Sequence, residues 1–188
     1  MSLLPFFQWL AGTPGSVALH ESLYAYLIVL TIHVVSLCLF IGTAVLLDLR
    51  LLGMTMPRVP VSEVMAGLVP WTLVGFVVTV GSGALLFYAN PAARYQNLFF
   101  RTKMVTLVVA GVNAWVFHNT AYRSVAEWDL DPLPPRRARV AASLSLVLWA
   151  VIIMAGRLIA YNGYWFDCNS QPQPVIINLL EGCVTDSR

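Results

Sequence analysis

Residues 23–47 carry no formal charge. A run of that length crosses the hydrocarbon core of a bilayer as one α-helix, and few soluble folds accommodate it. In its middle stands His33. An ionisable side chain at that depth is costly to bury, and such residues mark functional positions in membrane proteins. The rest of the chain has to decide whether His33 holds a cofactor, takes part in a proton or ion path, or braces helices.

Composition agrees with a membrane protein. Of 188 residues, 59% are hydrophobic and 11% charged, against about a quarter charged in soluble domains. A net charge of +2 without a basic run gives no footprint for nucleic acid. Residues 3–10 are apolar but lack the positive flank and small-residue cleavage site of a secretory signal. The three cysteines form no C-x-x-C, so neither a zinc framework nor c-type haem attachment is expected.

The pattern predicts an all-α integral membrane four-helix bundle. Residues 1–21 form an N-terminal segment with a short helix lying at the interface. The spans are expected at about 22–47, 64–88, 98–122 and 140–163, within a bundle covering 22–163. Residues 164–188 form an extracytoplasmic tail. On the second span, Thr72, Gly75, Thr79, Ser82 and Gly83 make a small, polar seam suited to close helix packing. Pro70 predicts a local kink, and Asn90-Pro91 ends the span. Lys103, Leu107, Ala110, Gly111, Ala114 and His118 share one face of the third span at 100° per residue. Loops one and three hold Arg50, Arg58, Arg123, Arg136, Arg137 and Arg139, against Arg94, Arg101 and Lys103 on the second. The excess places loops one and three in the cytoplasm and both termini outside, in a bacterial inner membrane. Cys168 and Cys183 then lie where a disulfide is permitted, and Cys38 packs within a helix.

Two histidines lie at or near membrane depth, His33 and His118; His20 reads as an interfacial residue. Intramembrane histidine, glycine and alanine seams and abundant aromatics together point to haem b between the helices, with imidazole on iron. His33 and His118 are the candidate iron ligands. Lys103 and Arg157 are two cations placed to neutralise propionates, and Tyr26 shares the face of His33. At 1.5 Å per residue His33 lies about 16 Å below the outer edge and His118 about 30 Å below it. That offset suits one iron only if the helices are strongly staggered; otherwise the two serve different sites. Met154 is near the depth of His33 and is a reasonable second ligand, while Asp48 is near the depth of His118 and is placed to hydrogen-bond it. No nucleophile with its base, phosphate loop or carboxylate dyad supports hydrolytic or transfer chemistry.

Several stretches carry a resemblance: His33 with Gly42, Asp48-Leu-Arg-Leu-Leu-Gly53, Gly83-Ala-Leu-Leu-Phe87, Asn97-x-x-x-Arg101-x-Lys103 and Gly111-x-Asn113-x-x-x-x-His118. Over residues 23–162 the chain resembles a family of small, uncharacterised bacterial four-helix membrane proteins, similar in layout to the membrane domain of the copper-resistance D type. The resemblance implies an inner-membrane bundle in which His33, Lys103, Asn113, His118 and Arg157 are the positions of interest. It brings no established activity. The expectation is a haem b protein passing electrons within the membrane as a subunit or partner of a larger redox complex. It would contact the lipid bilayer and a protein partner or a second copy, through its helices or tail. Two other classes stay open: metal-ion or proton transport along His33, His118, Asp48 and Met154, and a structural anchor whose tail, apolar at 175–180, docks on a partner.

Overall fold

The computed structural model describes residues 3–165. Cys168 and Cys183, between which a disulfide is permitted, and the tail lie outside the described residues. The chain opens with two short helices, α1 (Leu4–Ala11) and α2 (Pro14–Glu21), where one interfacial helix was expected. Gly12-Thr13 separates them, and Pro14 starts α2 at a first-turn position where its missing N–H costs nothing. Four long helices follow: α3 (Leu23–Leu51), α4 (Val61–Ala89), α6 (Leu98–Thr120) and α8 (Arg136–Leu158). Short helices α5 (Pro91–Tyr95), α7 (Val125–Trp128) and α9 (Asn162–Trp165) lie at the connections and the end.

All four long helices are long and apolar enough to cross a membrane. Their outer surfaces are those of a protein solvated by lipid: Val105, Val108 and Trp115 are 65%, 66% and 67% exposed. The predicted spans correspond to these helices with shifted ends. The fourth starts four residues earlier, because Arg136, Arg137 and Arg139 are good helix formers behind Pro135 and belong to its first turns rather than to a loop. Ser22 caps α3 through a bond from the Ala25 amide, and Asn97 caps α6 through one from Phe100. α4 runs as one helix through Pro70.

The bundle is two helix pairs, α3 with α4 and α6 with α8, joined through α3 against α8. The α3–α4 contact uses the whole small-residue seam. The Thr72 hydroxyl donates to Thr43 at 2.8 Å, and Thr79 donates to Ser36 at 2.9 Å. Between them Gly75 lies against the backbone of Phe40, so close that a Cβ on Gly75 would stand 2.8 Å from the Phe40 nitrogen. Gly83 faces His33. Without a hydrophobic drive between helices in lipid, such backbone approach and interhelical hydroxyl bonds are what hold a pair together. The second joint is aromatic: Phe40 meets Trp149 of α8 edge-on at 5.0 Å, with Ala110 and Ile152 around them.

At the far end the first and third connections interlock. Asp129 accepts bonds from the Ser62 amide (2.7 Å) and hydroxyl, and its carbonyl accepts from the Val61 amide. A carboxylate from a distant connection thus caps the positive end of α4. Buried Arg50 donates to the Val59 carbonyl through Nε and Nη2. Gly53, at φ +75°, lies where a side chain would meet the Pro132 carbonyl.

Two outcomes follow from these contacts. Gly75→Ala drives α3 and α4 apart and costs about 1–3 kcal/mol of stability, as overpacking does; an unchanged thermal midpoint in detergent would refute the close approach. The bonds from Ser62 hold the Asp129 carboxyl below the usual carboxylate range. Its stabilisation is therefore complete above the unfolded-state pKa and lost as pH falls through the lower folded value. Being partly solvated, the cap contributes at most about 1 kcal/mol. In melts between pH 7 and pH 3 the wild type loses that increment on acidification, whereas Asp129→Asn, already without it at pH 7, shows a flatter profile.

Candidate functional site

Between the Phe40–Trp149 joint and the end where α5 lies, the two helix pairs leave a chamber of about 540 Å³. Its walls are mostly apolar and aromatic, including Phe76, Phe87, Phe100 and Leu107. Its polar groups are few: His33, Thr79, Tyr26, Arg94 and Lys103, with Trp149, whose buried Nε1 has no acceptor among the described residues. A largely apolar pocket of this size with a small number of converging polar groups is the usual form of a small-molecule or cofactor site.

His33 is fixed by α4. Its Nδ1 lies 3.1 Å from the Thr79 carbonyl and 3.0 Å from the Ser82 hydroxyl. A carbonyl oxygen only accepts, and the Ser82 hydroxyl already donates to Val78 at 2.6 Å. Nδ1 therefore carries the proton and donates. That tautomer leaves Nε2 with a bare lone pair and no hydrogen-bond partner among the described residues. A backbone carbonyl on one ring nitrogen, fixing tautomer and ring orientation for the other, is how proteins prepare a metal-ligating histidine. Gly83 makes the room: a Cβ there would stand 3.1 Å from Cε1 of the ring.

The cations come from α5 and α6. Arg94 is held on the short helix after the Asn90-Pro91 break, and its Nη2 donates to the Tyr26 hydroxyl at 3.4 Å. Lys103 projects from α6 toward α8, where Gly156 leaves space; a Cβ at Gly156 would lie 3.7 Å from Nζ. Neither cation has a carboxylate partner among the described residues. Two uncompensated cations lining an apolar chamber are set for a ligand bearing negative charge. Tyr26 lies two turns from His33 on α3, about 10 Å along the helix, so the chamber offers an electron-pair donor at one level and a positive rim at another.

The structure brings His33, Lys103 and Tyr26 together and leaves His118, Met154 and Arg157 elsewhere. His118 is exposed and stacks on Tyr122 at 5.3 Å. Fifteen residues along α6 from Lys103 the helix has turned its face by about 60°, so the shared stripe does not persist. Met154 is 60% exposed on the outside of α8; Met104 is the thioether lining the chamber. Arg157 is exposed, its guanidinium 5.5 Å from the Tyr161 ring centroid. Asp48 is buried beside Ser145 of α8 and not against His118, and its Oδ2 has no partner among the described residues. Cys38 is exposed on α3 rather than packed inside. Sequence reasoning missed Arg94 as a site residue. Its signal was present in Asn90-Pro91, which ends α4 and turns a short helix with Arg94 back over the bundle end.

The molecule is thus a four-helix membrane bundle with an interhelical chamber, a prepared histidine and a positive rim. The chain belongs to DUF6644, a family of unknown function, whose model matches residues 6–162. The match takes in most of α1 and all of α2 as well as the bundle, and so reaches beyond the 23–162 resemblance seen in the sequence. No curated protein and no solved structure matches the chain significantly.

The unpaired lysine yields a test of its own. Lys103→Met removes a desolvated charge and fills the wall with a side chain of similar length, so ligand-free protein gains roughly 1 kcal/mol of stability, as removal of strained site residues commonly does. A drop in thermal midpoint in detergent would mean that Lys103 has a structural partner.

Proposed function

We propose that the chamber binds haem b and that the protein passes electrons within a bacterial inner membrane, as a subunit or partner of a larger redox assembly. The observation that carries this reading is the bare Nε2 of His33, aligned by Thr79 and Ser82, in a chamber rimmed by Arg94 and Lys103. Haem b fits that donor set: an imidazole for the iron, apolar and aromatic walls for the porphyrin, and two cations with the Tyr26 hydroxyl for two propionates. Haem would supply one-electron transfer; the residues of the chain hold the ring, neutralise its acids and exclude water. The excess of arginines in and flanking the first and third connections, Arg50, Arg58, Arg123, Arg136, Arg137 and Arg139, supports an orientation with both termini outside.

Multi-ligand metal transport has less support, since among the described residues no three His, Cys, Asp or Glu side chains converge. The likeness in layout to copper-resistance D domains adds no ligand set to the chamber. A purely structural anchor has no use for two uncompensated cations beside a positioned histidine.

Full-length protein from haem-supplemented cells, assayed by pyridine haemochrome, tests the ligand. His33→Ala loses the haem, while His118→Ala and Met154→Leu retain it at wild-type stoichiometry. Unchanged haem in His33→Ala would sink the assignment. Replacing either Arg94 or Lys103 by Gln weakens haem retention about tenfold, the scale of one charge-assisted hydrogen bond.

A further inference from the structure

One face of α8 carries a second feature, lined by none of the chamber residues. Arg136, Arg139, Val140, Ser143, Leu144 and Val147 line an open groove of about 550 Å³. These positions recur at three- and four-residue spacing and so form one stripe. Val140, Leu144 and Val147 are 66%, 43% and 60% exposed. The stripe is positive at one end and apolar along the rest, and nothing among the described residues neutralises it. The first turn of α8 contains no acidic residue. Arg136 and Arg139 have no ion pair among the described residues, and the Arg139 Nε is a buried donor without an acceptor.

We propose that this groove binds an anionic phospholipid of the surrounding leaflet. Its phosphate sits between Arg136 and Arg139, and one acyl chain lies along Val140, Leu144 and Val147. Charge and length both select this occupant. The guanidiniums present fork-shaped donors matched to phosphate oxygens, and neither has an ion pair among the described residues. From Arg136 to Val147 the groove runs about 16 Å along the helix, close to the roughly 15 Å thickness of one leaflet of a 30 Å hydrocarbon core. The exposed Ser143 hydroxyl, one turn below the arginines, lies where the ester groups of a lipid would follow its phosphate.

The test uses the full chain in phosphatidylcholine nanodiscs with a minor fraction of phosphatidylglycerol, released into native mass spectrometry to count retained lipid. Wild type retains phosphatidylglycerol in preference to phosphatidylcholine. Arg136→Gln and Arg139→Gln each lower that preference about fivefold. Leu144→Trp, which fills the groove and leaves every charge in place, lowers total retention. Arg123→Gln, at a basic residue of the connection that precedes α8 and outside the groove, leaves it unchanged. Equal losses from Arg123→Gln and Arg139→Gln, with no effect of Leu144→Trp, would reduce the preference to general surface potential and overturn the site. A dimer that persists in pure phosphatidylcholine and is broken by Leu144→Trp would seat a second copy on this face and overturn it as well.

Discussion

The close backbone contact of α3 with α4 is the constraint on which the rest depends. Gly75 admits the Phe40 backbone, and the hydroxyl pairs Thr43–Thr72 and Ser36–Thr79 lock the register above and below it. In lipid these are the forces available, since apolar side chains gain nothing by leaving a solvent as apolar as themselves. The same register carries Thr79 and Ser82 to the Nδ1 of His33 and places Gly83 against the ring. Helix packing and the orientation of the His33 ring are therefore one structural event. A shift of one residue along either helix would separate the imidazole from its carbonyl.

The chamber arises from what the second pair does not fill. α6 and α8 join the first pair at the Phe40–Trp149 contact, where Ala110 and Ile152 complete a small core. Beyond that joint α8 presents Gly156, which gives Lys103 its room, and α5 folds back to bring Arg94 onto Tyr26. The opposite end of the bundle is closed instead of hollow, with Leu51, Val61, Trp128 and Ala138 packed under the interlocked connections. One end of the molecule is built for rigidity and the other is left open with charge uncompensated, the usual division between scaffold and site.

Much of this was legible in the chain. Uncharged runs gave four spans, because in a membrane length and apolarity nearly determine helicity. The seam from Thr72 to Gly83 was visible as small residues at helical spacing, and each of its named members meets α3. His33 and Lys103 stood out as ionisable groups at membrane depth. Tertiary rotation was not visible. His118 shares a nominal stripe with Lys103, yet over four turns the 3.6-residue period carries it to the lipid or headgroup side. Met154 matched His33 in depth, but depth says nothing of which way α8 faces. Arg157 and Arg94 are both cations near one end, and only the fold-back of α5 selects Arg94 for the chamber. The three arginines in the first turns of α8 read as loop from the proline cluster before them, although Pro135 in fact stands at the N-cap of the helix.

The claim that the chamber holds a redox cofactor through a prepared histidine is tested most directly by a reduced-minus-oxidised visible spectrum of the purified full-length protein, expressed with ample haem. A Soret band with a sharp α band typical of b-type cytochromes, at one haem per chain, is the predicted result. A flat spectrum from folded, monodisperse protein would contradict it.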